Sequence, residues 1–449
     1  MKKLFGTDGI RGIAYDFLTP ELCRKVGEAL GYILSADKKK GNTVLIGKDT
    51  RESGDMVIDA IADGLTAFGC EVHLIGVVPT SAISFLTKSC GYNAGIMISA
   101  SHNPYEYNGI KIFNSEGFKL DDALEESMEE LILGSEILST GATLATVKHI
   151  DAAADGYINY ITKCAGADLS GMKIVFDCAN GSASRTARAI FDPLGAECVF
   201  LSCSPDGKNI NLDCGSTHME SLRKFVLENK FDVGIAFDGD ADRCLAVDER
   251  GELIDGDMIM AILGIMLKER GDLSGNTIVA TVMSNLGLFK FADDYGLSVS
   301  KTAVGDRYVL EELVREGFAL GGEQSGHIIM RDILNTGDGQ LTALLLLSRM
   351  AETKKPLSKL ASIMKKYPQT IKNLHATAEQ KTAFKADIDL NLYISDYNDR
   401  LCGSGRILVR PSGTEPLIRV MVEAESEERT ETICNEVANA ITEAMKKYN

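Results

Sequence analysis

The chain of 449 residues contains no run of about 18 apolar residues, so it encodes no membrane-spanning helix of the usual kind. Its first residues, Met1-Lys2-Lys3-Leu4-Phe5-Gly6-Thr7-Asp8, lack the apolar stretch of a secretory leader, which predicts a cytoplasmic protein. None of the eleven cysteines forms a Cys-x-x-Cys pair, and their number is odd and their positions scattered. Zinc and dithiol redox sites are therefore disfavoured, and reduced, mostly buried thiols are expected, with Cys70, Cys178, Cys198 and Cys244 in apolar surroundings. Basic residues are the minority: 47 Lys and Arg stand against 64 Asp and Glu, a net charge of −17. That balance excludes an extended nucleic-acid surface, which needs basic side chains along a phosphate backbone. A small phosphate ligand remains compatible with it if a few arginines converge.

What is present is ordinary globular material, 45% hydrophobic and 25% charged, in a chain too long for one core. Its organisation is a pattern stated three times. Thr43-Val44-Leu45-Ile46-Gly47 precedes a helical stretch near residues 54–68, closed by Gly69, then Val72-His73-Leu74-Ile75 and later Ala94-Gly95-Ile96-Met97-Ile98. The order returns with residues 173–176, 198–201 and 233–237, and again with 277–280, 297–299 and 317–320. Short apolar strands alternating with helix-length segments predict largely parallel sheets covered on both faces, with ligands beyond the strands' carboxyl ends. The last eighty residues differ: strands at 406–410 and 417–423 precede a helix capped by Ser426, with Ile433, Val437, Ile441 and Met445 as its buried stripe and Lys446-Lys447 in its last turn. We read three repeated α/β/α domains with mainly parallel mixed sheets, at 1–150, 151–255 and 256–368, and an α+β domain at 369–449.

The third apolar run of each copy leads directly into an unusual polar loop. Asp238-Gly239-Asp240-Ala241-Asp242-Arg243 alternates three carboxylates that can converge on a hard cation such as Mg²⁺. The spacing also begins like a calcium loop, but Arg243 stands where that loop needs glycine; a solvated acidic turn is the alternative. In Ser99-Ala100-Ser101-His102-Asn103-Pro104, Ser101 lies just past a buried strand without a Gly-x-Ser-x-Gly elbow, so a hydrolase of that design is disfavoured. A metal beside it could neutralise a phosphate carried on the serine, while local turn formation is the other reading. Gly322-Glu323-Gln324-Ser325-Gly326-His327 offers a carboxylate, an amide and a hydroxyl suited to sugar hydroxyls or an amine. Gly305-Asp306-Arg307, expected on a loop, could add a cation, and Gly6–Gly12 reads as a tight loop presenting Arg11. Arg410-Pro411-Ser412-Gly413-Thr414-Glu415-Pro416 with Arg419 makes a cradle for a non-reacting phosphate, or else a hairpin turn. Arg11, Lys111, Arg243, Arg307, Arg410 and Arg419 together would form a positive pocket in an acidic protein.

Taken in chain order, the loops at residues 5–12, 99–104, 238–243, 322–327 and 410–416 resemble the α-D-phosphohexomutase superfamily over essentially the whole chain. The opening loop, residues 302–309 and Gln324 are most similar to its bacterial glucosamine-phosphate branch. The resemblance implies three α/β domains and a C-terminal domain like the TATA-binding protein, around one central cleft. It implies phosphoserine at Ser101, one Mg²⁺ held by its phosphate with Asp238, Asp240 and Asp242, and a hexose or hexosamine 1,6-bisphosphate as intermediate and activator. Glu323, Ser325 and His327 map to the sugar loop; Arg410, Ser412, Gly413 and Thr414 to the phosphate loop; Arg11, His102, Lys111 and Arg243 to the transferring phosphate. Ala241 departs from the glycine many members carry. The implied reaction interconverts 6- and 1-phosphates of a hexosamine, supplying UDP-N-acetylglucosamine and cell-wall precursors, in a monomer or homodimer. Arg11, Lys111 and His327 are candidates for proton transfer or charge stabilisation. Mannose or glucose phosphate as substrate, a non-catalytic sugar-phosphate sensor and a metal-dependent phosphatase are the competing readings.

Overall fold

The computed structural model describes residues 4–6, 8–36, 42–134, 145–150, 152–412 and 416–448. Two compact units divide the chain, one of Met1–Met283 with Leu297–Ile363, the other of Ser284–Gly296 with Met364–Asn449.

The first unit holds three mixed sheets. In the first, seven strands lie in the order Phe5–Gly6, Gly9–Ile13, Tyr107–Asn114, Ala94–Ile98, Thr43–Lys48, Glu71–Val77 and Val147–His149. The second has five, ordered Leu253–Ile254, Cys244–Asp248, Val233–Phe237, Lys173–Asp177 and Glu197–Leu201. The third has four, ordered Ser298–Thr302, Thr277–Thr281, Leu320–Gly322 and Ile328–Met330. Every residue of Ala94–Ile98, Val233–Phe237 and Thr277–Thr281 is buried, as apolar runs covered on both faces must be. Helices Pro20–Ser35 and Gly54–Thr66 pack backbone to backbone, since a Cβ on Gly27 would lie 2.2 Å from the Ile61 carbonyl oxygen.

The three polar loops share one topological position. Each follows a parallel strand and turns the chain into an antiparallel neighbour: Ile98 pairs with Ile110, Phe237 with Cys244, and Gly322 with Ile328. The reversal after residues 98, 237 and 322 places each loop at a strand's carboxyl end.

Several local expectations are corrected. Gly9–Ile13 is a strand, not a loop, so Arg11 sits in the sheet opposite Gly109. Asp306 and Arg307 open a helix, Asp306–Glu316, rather than lying on a loop. Gly317, at φ 73°, caps that helix, so the third copy's strand begins only at Leu320. Cys198 is half-buried, and Lys446-Lys447 lie in a 3-10 turn after the final helix.

A buried polar network joins the three α/β segments. The Tyr157 hydroxyl donates to Asp338 Oδ2 at 2.8 Å and lies 3.3 Å from Gln340 Oε1, which accepts from Thr186 Oγ1 at 2.9 Å; Ser81 Oγ donates back to Tyr157 at 3.3 Å. Asp338 also caps helix Gly339–Thr353 through the Leu341 amide.

The second unit is an antiparallel sheet ordered Gln369–His375, Leu417–Glu423, Arg406–Pro411, with helices Ala378–Ala386, Ile388–Arg400 and Glu427–Met445. Ser426 caps the last helix, and Ile433, Val437, Ile441 and Met445 are buried in its core as expected. Fully buried Glu423 accepts from Arg406 Nε, Gln369 Nε2, Asn285 Nδ2 and the Leu286 amide, which ties segment 284–296 to this unit. Among the described residues no helix is long and apolar enough to cross a membrane.

Replacing Tyr157 with Phe removes the hydroxyl donor to a buried carboxylate. A loss of about 1–3 kcal/mol of stability is expected, read from the denaturant midpoint at unchanged slope.

Candidate active site

Local backbone geometry brings two of the loops into contact. Ser101 adopts φ 53° and Ala241 φ 56°, left-handed conformations that cost a residue with a Cβ roughly 1–2 kcal/mol. Both therefore need support. The Ser101 amide donates to Ser99 Oγ at 2.9 Å; the Ala241 amide donates to the Asp238 carbonyl at 3.0 Å, and the Arg243 amide to Asp238 Oδ1 at 3.1 Å. Gly239 permits the close approach, since its Cβ would lie 2.5 Å from the Ser101 carbonyl oxygen.

Asp238, Asp240 and Asp242 are all buried, and one oxygen of each lies within 4.8 Å of the others. Ser101 Oγ, 2% exposed as a residue, donates to Asp238 Oδ2 at 2.5 Å. Asp240 Oδ2 accepts from Thr80 Oγ1 at 2.6 Å and Lys111 Nζ at 2.8 Å, and Lys111 reaches Asp242 Oδ2 at 3.3 Å. The other oxygens, Oδ1 of Asp240 and of Asp242, are buried without a hydrogen-bond partner. Two orphaned carboxylate oxygens in an all-oxygen donor set fit a hard cation of the Mg²⁺ kind. Burial, then Asp242 and Asp240, push the Asp238 carboxyl well above its ordinary range. Burial pushes Asp242 the same way, but Lys111 and His327 outweigh it and hold that carboxyl well below.

Cations surround this acidic centre. Lys111 also pairs with Asp8 at 3.1 Å; burial opposes its charge, yet Asp240, Asp8 and Asp242 raise its pKa well above the usual lysine value. Asp8 pairs in turn with Arg11 and with Lys119, which reaches Asp306 at 2.5 Å. Arg11 donates to Asn103 Oδ1 at 3.3 Å, on the serine loop. The Arg243 guanidinium is raised despite burial by Asp238 and Asp242, and its Nε has no partner. His102 Nδ1 is 3.2 Å from Ser101 Oγ; burial, then Arg243 and Arg11, lower its pKa to about 4, so it is neutral at pH 7.

His327 carries opposed signals. Burial disfavours the imidazolium, but Asp242 at 3.6 Å and Asp306 at 3.6 Å carry its pKa up to about 9. The Gly337 amide, however, donates to Nε2 at 3.2 Å and needs a lone pair there. The amide contact fits a ring whose proton sits on Nδ1, the nitrogen facing Asp242.

On the third loop, Glu323 Oε1 accepts from the Gly305 amide at 3.1 Å, and Ser325 Oγ is buried without a partner. Asp306 stands between Lys119 and His327. Arg307 is not a free cation: its guanidinium is engaged by Asp122 at 2.9 Å, Glu125 at 3.0 Å and Glu311 at 3.2 Å. In the second unit, Arg410 and Arg419 face each other across two strands. Burial and then Arg419 lower the Arg410 pKa, and Arg410 Nε lacks a partner, an arrangement that an anion would relieve. The Ser412 amide donates to the Leu417 carbonyl at 2.9 Å, while Gly413 and Thr414 lie outside the described residues.

Ser101, Arg11, His102, Lys111, Asp238, Asp240, Asp242, Arg243, Asp306 and His327 thus form one connected cluster. Sequence reasoning missed Asp8, Thr80 and Lys119. Only Asp8 had a signal, its place beside Arg11 in the glycine-rich opening.

A buried serine on the first of three similarly built α/β segments, set against a carboxylate trio on the second that suits a cation, defines the class. The chain belongs to the phosphoglucomutase/phosphomannomutase family, whose α/β/α domains I, II and III match residues 2–153, 155–251 and 255–367 and whose C-terminal domain matches residues 345–440. Within it, the chain is 48% identical to a phosphoglucosamine mutase of Clostridium acetobutylicum over 98% of this chain and 99% of that protein. It is also 48% identical to that of Acetivibrio thermocellus, over 99% and 100%. Among solved structures, a phosphoglucomutase/phosphomannomutase family protein of Burkholderia thailandensis superposes with TM-score 0.81 at 25% identity, covering 98% of this chain and 97% of that one. An N-acetylphosphoglucosamine mutase of Aspergillus fumigatus, in complex with GlcNAc-6P and magnesium, shares the fold at TM-score 0.70 and 19% identity over 98% and 96%.

Lys111→Met would leave three carboxylates without their shared cation. The metal-free protein should lose about 3–5 kcal/mol, and added Mg²⁺ should raise its melting temperature more than that of the wild type. Calorimetric scans with and without Mg²⁺ read both effects.

Proposed function

We propose that the protein interconverts glucosamine 6-phosphate and glucosamine 1-phosphate, with Ser101 as the phosphate carrier. The carrying observation is the 2.5 Å contact of Ser101 Oγ with Asp238, inside a trio of buried aspartates with two orphaned oxygens. The identity to curated phosphoglucosamine mutases over nearly the whole chain supports the same reading. A carboxylate trio alone would attract a metal; a serine hydroxyl against it adds a place for phosphate.

In the proposed reaction, the bond from phosphorus to Ser101 Oγ breaks as one forms to O1 or O6 of the sugar, whose hydroxyl proton passes to a neighbouring base such as His102 or to solvent. The bisphosphate reorients, the bond from its other phosphorus to the sugar oxygen breaks as one forms to Ser101 Oγ, and that sugar oxygen takes back a proton. Such transfers depend on positioning and charge neutralisation more than on covalent help from the protein. One Mg²⁺, held by Asp238, Asp240 and Asp242 with the serine phosphate, would neutralise charge on the transferring group. Arg11, Lys111 and Arg243 add cationic charge, and neutral His102 beside Ser101 Oγ, together with His327, is assigned to hold or move a proton. Glu323 and Ser325, bordered by Gly305, Asp306 and Arg307, are assigned the sugar; Arg410, Ser412, Gly413, Thr414 and Arg419 are assigned the non-reacting phosphate. We divide the chain for these roles at 1–150, 151–255, 256–368 and 369–449, and assign it to the cytoplasm.

Intact mass before and after phosphatase treatment should show one phosphoryl group, absent from Ser101→Ala, which should be inactive as a mutase. A fully active Ser101→Ala variant would end the carrier reading. kcat/KM should be highest for glucosamine 6-phosphate; the substrate assignment is wrong if mannose 6-phosphate or glucose 6-phosphate surpasses it.

A further inference from the structure

Ser101 is held in its left-handed conformation from behind, by buried groups whose hydrogen bonds go to its own loop. Arg51 is 1% exposed, and its guanidinium is spent almost entirely on the backbone of the serine loop. Its Nη2 donates to the carbonyls of Ser101 at 2.9 Å and Asn103 at 2.8 Å, and its Nη1 to those of Tyr107 at 3.0 Å and Pro104. Its Nε pairs with fully buried Asp49 at 2.8 Å. Asp49 Oδ2 also accepts from Ser99 Oγ at 2.6 Å, and that hydroxyl receives the Ser101 amide. One ion pair therefore fixes both the amide and the carbonyl of Ser101.

The same two carbonyls have a second donor from the next α/β segment. Asn211 Nδ2 donates to Ser101 O at 2.9 Å and Asn103 O at 3.2 Å, and Asn211 is itself 6% exposed and left-handed at φ 58°. The residues on either side of Arg51 bind that segment too: Thr50 Oγ1 donates to the Asn180 carbonyl at 2.6 Å, and the Glu52 amide to the Gly207 carbonyl at 3.0 Å. A guanidinium from one segment and an amide from another thus converge on the peptide that carries Ser101.

We propose that Arg51 and Asn211 are positioning residues for phosphoryl transfer, a two-sided clamp that fixes Ser101 Oγ relative to the aspartate loop. The inference rests on Ser101 being the phosphate carrier. A serine that alternately gives and takes a phosphoryl group must return to one place, and small displacements of reacting atoms are expensive in rate. Neither side chain contacts the sugar loop, so the clamp acts on turnover and not on substrate recognition.

The discriminating variant is Asn211→Asp, which keeps the shape but turns carboxylate oxygens toward two carbonyl oxygens. We expect kcat to fall by about ten-fold or more while KM for glucosamine 6-phosphate and the Kd of Mg²⁺ by calorimetry stay within about two-fold. Arg51→Lys should show the same split; should it fail to fold, Asn211→Asp and Asn211→Ala carry the test. Wild-type kcat in Asn211→Asp overturns the clamp, as does a fall in Mg²⁺ affinity parallel to kcat, which would place the effect in the aspartate loop. Wild-type protein with no phosphate on Ser101 would instead remove the carrier reading beneath it.

Discussion

Three buried carboxylates, Asp238, Asp240 and Asp242, crowd a space with little access to water, half-buried Asp8 borders them, and the ammonium of Lys111 touches Asp8, Asp240 and Asp242. Like charges at such distances repel strongly where the dielectric is low, and burial alone would drive them to take up protons. One fully buried lysine keeps Asp242 ionised while leaving an oxygen of Asp240 and of Asp242 unclaimed. The remaining cations are arranged around this arrangement: Arg11 and Lys119 share Asp8, Lys119 extends the chain to Asp306, and Asp306 faces His327. Charge balance here runs through a connected network, with Lys111 and Asp8 each shared among three partners.

Repetition explains how three loops from distant parts of the chain acquire related positions. A parallel strand that reverses into an antiparallel one leaves a short loop at its carboxyl end, and the fold performs this reversal three times. The loops can then diverge in chemistry while the strands beneath them stay apolar. Helix Gly339–Thr353 adds a further constraint, because its first amide donates to the Ala241 carbonyl at 2.9 Å. The turn of the aspartate loop is thus held by an element belonging to the sugar-loop segment.

Strands 94–98 and 233–237 and the final helix were legible from apolar periodicity and capping, since those signals are local. So were the loops, because serine, aspartate and glycine after a buried strand are out of place unless they do chemistry. The onset of the third copy's last strand differs from the expectation because Gly317 closes a helix, and glycine before an apolar run looks the same in either role. Arg11 was assigned to a loop because strand Gly9–Ile13 is glycine-rich and owes its form to pairing with residues 107–110. Thr80, Asn211 and Tyr157 gave no sequence signal at all. Their partners lie 160, 110 and 181 residues away, and only the folded chain makes neighbours of them.

Segment 284–296 has a consequence for where this polypeptide can be cut. The chain enters its second unit early, through Asn285 and helix Leu286–Asp294, and leaves it again to complete the third sheet. A stop codon before Met364 would not remove a self-contained module. It would strand Asn285, whose side chain donates to Tyr367 O at 2.9 Å and to Glu423, and would deprive the Leu286 amide of its acceptor. The C-terminal portion expressed alone would lack the same helix. Proteolytic or recombinant separation before Met364 should therefore yield two ill-formed fragments, whereas co-expressed pieces can rebuild the second unit around segment 284–296.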